Sequence, residues 1–162
     1  MKKFLAGLSL VLMLSACSFK SAAQEEAVWE DACVLYSVSL KEIADVDTDV
    51  CEDIVRPEVR YYVDPEDSRW GYYAGTSYVY VKRHLKGLDK LSTLFHEYIH
   101  YIDKMKLGVR VPGDAYEMCY GEARAYYLED LWYELQGVET PQNPNWLQYY
   151  PQCIPVFRGG ME

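Results

Sequence analysis

The chain has 162 residues, enough for one domain and too few for two of ordinary size. Asp and Glu number 25 against 16 Lys and Arg, a net charge of −9, so the basic footprint of a nucleic-acid binder is absent and no such partner is expected. Half of the residues are apolar, which permits a core and excludes disorder by composition. Tyr is frequent, at 16, and suits half-buried strands or a polar groove.

Residues 1–16 read as a signal peptide. Lys2 and Lys3 are its basic start, and the apolar run from Phe4 to Met13 is too short to span a bilayer. Leu14-Ser15-Ala16-Cys17 resembles a bacterial lipobox, in which the thiol of Cys17 is lipidated and the chain is cut before it. Ser21-Ala22-Ala23 would suit ordinary signal peptidase and remains the alternative. A lipid at Cys17 anchors the chain to a membrane without a span, in the cell envelope. Ser18 after the Cys resembles outer-membrane sorting, facing the periplasm, if the host is Gram-negative. Residues 17–26 lack an apolar period and read as a tether; residues 27–162 make a single domain.

Export leaves Cys33, Cys51, Cys119 and Cys153, an even set in an oxidising compartment. Nearness in sequence favours Cys33–Cys51 and Cys119–Cys153. Free buried thiols are the alternative, and without any CxxC pair a Cys-held zinc has little support.

Val28, Ala32, Leu35, Tyr36, Ser39 and Ile43 predict a helical face over 27–44, followed by an acidic loop from Asp45 to Asp53. Glu58 to Val63 reads as a strand, and Trp70 to Lys82 as a hairpin whose second strand is 77–82. Asp89 is placed to cap a helix that runs to Leu107, with Gly108 as its stop. Pro112-Gly113-Asp114 makes a turn and a second cap. A further helix runs from Ala115 to Gln136 and stops at Gly137. Residues 138–162, with four Pro, read as an extended tail. The expected class is α+β: a short, mainly antiparallel sheet on two adjacent helices.

Residues 96–100 read His-Glu-Tyr-Ile-His on the first of those helices. Positions i and i+4 share a face, so His96 and His100 can grip one Zn²⁺ through imidazole nitrogens. Glu97 is offset by one position, beside the metal, where it can take a proton from water. Leu91, Leu94, Phe95, Tyr98, Ile102 and Met105 form the stripe that faces the core. No GxSxG, P-loop or GxGxxG occurs, so other hydrolases, NTPases and dinucleotide enzymes lack support.

This order, a strand, a helix with HExxH, then a second helix, resembles the zincin metallopeptidases over about residues 58–136. The resemblance implies one zinc ion, a third ligand from the second helix, and hydrolysis of a peptide or protein substrate with Glu97 as general base. The longer metzincin pattern is not met, because Asp103 stands where its Gly would be and Lys106 where its last His would be. That leaves the gluzincin pattern with two candidate ligands. Glu122, in Glu-x-x-Ala-Tyr, looks like the ligand of small gluzincins and shares a face with Ala115, Met118, Cys119, Ala125 and Tyr126. Glu117, before Tyr120-Gly121, loosely resembles the aspzincin arrangement and lies with Arg124 and Leu128 on a face read as surface. Five residues apart on a helix, the two cannot both face His96 and His100. Asp103 and Glu129 return to the ligand faces and are candidates to accept the ligands' free ring N–H. In zincins the strand before the active helix binds extended substrate by strand addition, and His84, Tyr78 or Tyr80 beside it are candidates to polarise a carbonyl. The alternative function is a non-catalytic envelope lipoprotein that binds zinc or a partner protein.

Overall fold

A computed structural model describes residues 2–108, 115–139 and 150–153, with side chains from residue 21 onward except that of residue 43. Helix α1 (Lys2–Ala44) is followed by strands β1 (Glu58–Tyr62), β2 (Gly71–Tyr73) and β3 (Tyr78–Lys82). Helix α2 (Gly87–Ile102) runs into a π-helical turn over Asp103–Leu107, then come α3 (Ala115–Leu135) and a 3₁₀ turn at Pro151–Cys153. This is a small α+β domain: three helices and one three-stranded sheet.

The sheet order is β1-β3-β2. β2 pairs antiparallel with β3, as a hairpin must, but β1 pairs parallel with it, Val59 opposite Val79 and Tyr61 opposite Val81. The sheet is therefore mixed rather than mainly antiparallel. Residues 63–70 carry the chain past the position beside β1, and β3 folds back into it. One consequence corrects the expectation for strand addition. β3, the strand before α2, is paired along both edges and has none left to offer, whereas β2 has an outer edge with no strand on it among the described residues.

Alternation sets the faces. Val79 and Val81 of β3 are fully buried against α2, while Tyr78 and Tyr80 turn to the other face. On that face Tyr72 stacks on Tyr80 at 4.6 Å, and the Arg60 and Arg69 guanidinium groups lie over Tyr78 and Tyr72. The ring faces are thus covered by one another and by arginine. α2 presents Leu94, Phe95, Tyr98, Ile99 and Ile102 to the core, all fully buried. Phe95 meets Trp132 of α3, and Tyr98 meets Trp29 of α1.

Three expectations are corrected here. Residues 17–26, read as a tether apart from the domain, are helical: α1 continues through them, and Ser21, Glu25 and Glu26 make polar contacts with the domain. α2 starts at Gly87, so Asp89 lies in its first turn instead of capping it, and its carbonyl accepts the Thr93 hydroxyl at 2.7 Å. Met105 is 51% exposed, because the widened π turn takes it off the stripe. Gly108 ends that turn in the left-handed region, φ 67°, with its N–H on the Lys104 carbonyl. The proposed cap at Asp114 and most of the tail lie outside the described residues. Both disulfides are closed in the expected pairing, Cys33–Cys51 and Cys119–Cys153.

Candidate metal centre

His96 and His100 sit one turn apart on α2, and Glu122 faces them from α3. Gly121 stands at the crossing of the two helices: a Cβ there would make ordinary contacts, 3.8 Å from His100 Nδ1 and 3.7 Å from Asp103 Oδ2. Nε2 of His96 is 3.1 Å from Nε2 of His100. The Glu122 carboxylate closes the triangle, with Oε2 3.3 Å from His96 Nε2 and Oε1 3.4 Å from His100 Nε2. All three side chains are largely shielded, at 12%, 17% and 12% exposure for His96, His100 and Glu122.

This triangle fits a metal ion. Ligand atoms about 2.0–2.1 Å from a tetrahedral Zn²⁺ lie about 3.3 Å from one another; here one donor atom from each of His96, His100 and Glu122 lies within 4.8 Å of the other two. Oε2 of Glu122 is buried with no aligned hydrogen-bond donor, though His96 Nε2 is within ion-pair distance. A buried carboxylate oxygen left so is costly unless a cation completes it. Two imidazoles and a carboxylate are a donor set that zinc takes readily.

The surrounding groups set the protonation. Glu129 Oε2 lies 3.2 Å from His96 Nδ1, so that nitrogen donates to the carboxylate and Nε2 is the one that faces His100 and Glu122. Burial works against a charged His96, but Glu122 and Glu129 outweigh it and raise its pKa well above the usual value. Burial likewise opposes a charged His100, and Glu122 reverses the balance. Burial would also raise the carboxyl pKa of Glu122, but the two histidines hold it far below the normal range. Burial pushes the Glu97 carboxyl up to about 7, against the lowering pull of His100 and His96.

Glu97 lies under the sheet. Its Oε1 would be 2.9 Å from a Cβ on Gly71, which would also meet Thr93 Cγ2 at 2.7 Å and the Tyr80 carbonyl at 2.9 Å. The absent side chain at Gly71 is what lets β2 pass so close. Gly71 and Tyr73 are opposite Val81 and Val79 and alternate with the hydrogen-bonded pair Trp70/Lys82, so their own N–H and C=O groups point away from β3.

Glu117 is exposed and stands outside the triangle. Its neighbours on the helix correct the surface reading of that face: Leu128 is fully buried, and Arg124 reaches inward to Asp103. Asp103 is itself almost fully buried, at 2% exposure, and is no surface acid. Its Oδ1 accepts hydrogen bonds from the Tyr36 hydroxyl and from Arg124. The carboxylate is thus engaged with α1 and α3 instead of with a ligand histidine, and Oδ2 is left beside the space over Gly121. His84 is exposed in the turn after β3, and Tyr78 and Tyr80 are on the sheet face away from α2. None of the three joins the centre.

One site residue escaped the sequence reading. Tyr150 donates a hydrogen bond to Glu122, and burial first, then the Glu122 carboxylate, raises its pKa. The signal was in the cysteines: Tyr150 is three residues before Cys153, whose partner Cys119 is three before Glu122.

Residues 1–18 match the family model of the prokaryotic membrane lipoprotein lipid attachment site. Among the described residues no helix is long and apolar enough to cross a membrane. No curated protein and no solved structure matches the chain. The N-terminal match makes the protein a lipid-anchored component of the cell envelope.

Proposed function

We propose that this lipoprotein is a zinc-dependent metallopeptidase of the zincin type, held on the outer membrane and facing the periplasm in a Gram-negative host. The observation that carries the reading is the cluster of His96, His100 and Glu122, one donor atom from each lying within 4.8 Å of the other two. Those three residues would hold the ion. Zn²⁺ bound there supplies Lewis acidity, making water acidic enough to ionise near neutral pH and polarising a carbonyl.

The chain's own groups do the rest. Glu97, one position off the ligand face, receives the proton from water at its carboxylate and returns it to the leaving amine. Glu129 keeps the His96 proton on Nδ1, so Nε2 stays a lone-pair donor. Tyr150 steadies the Glu122 carboxylate. The open edge of β2 offers the N–H and C=O groups of Gly71 and Tyr73 to an extended peptide, beside Glu97. An unfolded or extended protein segment is therefore the substrate class.

The test is hydrolysis of an unfolded protein by the full chain, abolished by a chelator and restored by one equivalent of zinc. Zinc binding without any hydrolysis would select the non-catalytic zinc-binding lipoprotein instead.

A further inference from the structure

The lipid is joined to the domain through a stalk that belongs to the fold. α1 runs unbroken from the lipidation position into the core. Ser21, only four residues beyond Cys17, already meets the domain, with its Oγ 3.2 Å from Lys90 Nζ. Lys90 also reaches Glu25 at 3.4 Å, Tyr61 donates to the same carboxylate, and Glu26 pairs with Arg56 at 3.2 Å. Four helical residues span about 6 Å, so little slack separates the lipid from the folded protein.

The contacts also fix direction. Ser21 and Glu25 meet Lys90, Trp29 meets Tyr98, and Tyr36 meets Asp103. α1 and α2 therefore run side by side in the same sense. Counted back along the pair, Cys17 is level with the turn between β3 and α2, residues 83–86. That turn is cationic in an acidic chain: residues 82–90 hold Lys82, Arg83, Lys86 and Lys90 against the single acid Asp89. Lys82 is buried on the Asp67 carbonyl and Lys90 is occupied with Glu25, but Arg83, His84 and Lys86 are exposed.

We infer that Arg83, His84 and Lys86 form a second membrane contact, laid on anionic lipid headgroups by the docked α1 stalk. Cations within a Debye length of an anionic surface are drawn to it, and the lipid at Cys17 delivers this turn to that distance. The same count places His96, two residues before the Tyr98 that meets Trp29, about 15 Å along α1 from the lipid. On the peptidase reading, on which this one consequence rests, the bonds within reach belong to segments close to the membrane surface.

The experiment uses the full lipidated chain in vesicles, with a fluorophore on Tyr127→Cys, an exposed position on α3, and an acceptor dye on lipid headgroups. Energy transfer should rise by about twofold when phosphatidylglycerol is added to phosphatidylcholine, and fall back in about 0.5 M salt. Arg83→Glu with Lys86→Glu should abolish the rise. Lys106→Glu, in the π-helical turn beyond the far end of α2, should not. Equal transfer on both vesicle types, or a rise that survives the double variant, would overturn the inference. A protein that docks this way yet hydrolyses nothing would sink the peptidase reading and leave this surface in place.

Discussion

Oε2 of Glu129 lies 3.2 Å from Nδ1 of His96, on the side of the ring that faces away from the Glu122 carboxylate. The two glutamates come from one helix, seven residues apart, and hold the imidazole from opposite nitrogens. Glu129→Ala leaves the ring without its tautomer-fixing acceptor. Zinc affinity should fall by roughly 10- to 100-fold, with the stoichiometry kept. Isothermal titration measures both, and an unchanged affinity would remove Glu129 from the site.

Glu122 and Glu117 give a sharper contrast. Glu122→Ala deletes one corner of the triangle, so its loss in zinc affinity should exceed that of Glu129→Ala. Glu117→Ala, on an exposed position, should change stability by no more than about 0.5 kcal/mol and leave zinc in place. Zinc released by the Glu117 variant and kept by the Glu122 variant would mean the α3 register is wrong.

Glu97→Gln preserves shape and removes the carboxylate that the proposed mechanism uses as base. The variant should bind zinc as the parent does and show hydrolysis reduced by at least about 100-fold. Activity kept on a peptide that the parent cleaves would show that another group moves the proton.

The helical part of this centre was legible because helical spacing is a local property. His96 and His100 at i and i+4, and the small residues around Glu122, follow from the 3.6-residue period alone. The disulfides followed from sequence nearness. What the sequence hid was decided at long range. β1 and β3 are joined across fifteen intervening residues, and no local signal sets their parallel pairing. Glu25 and Glu26 carry no apolar signal because polar contacts hold them, Glu25 to Tyr61 and Lys90 and Glu26 to Arg56. Asp103 looked like a helix-surface acid with a view of the ligands, yet Tyr36 and Arg124, distant in sequence, claim its carboxylate.

Gly71 tests the sheet side of the cleft. A methyl group there would come under 3.0 Å of Thr93, Glu97 and the Tyr80 carbonyl, and the last is backbone that cannot swing aside. Gly71→Ala should therefore destabilise the fold by about 1–3 kcal/mol by overpacking and displace Glu97. Thermal melting together with kcat should show both losses while zinc stays bound. An alanine tolerated with full activity would mean that β2 does not press on the base.

The most direct measurement of the central claim is the metal content of the purified full chain, by mass spectrometry under native conditions, beside the His96→Ala/His100→Ala variant. The geometry predicts one zinc ion per chain in the parent and none in the variant, with both disulfides intact in each. A parent that takes up no zinc, or a variant that retains it, would contradict a centre built from His96, His100 and Glu122.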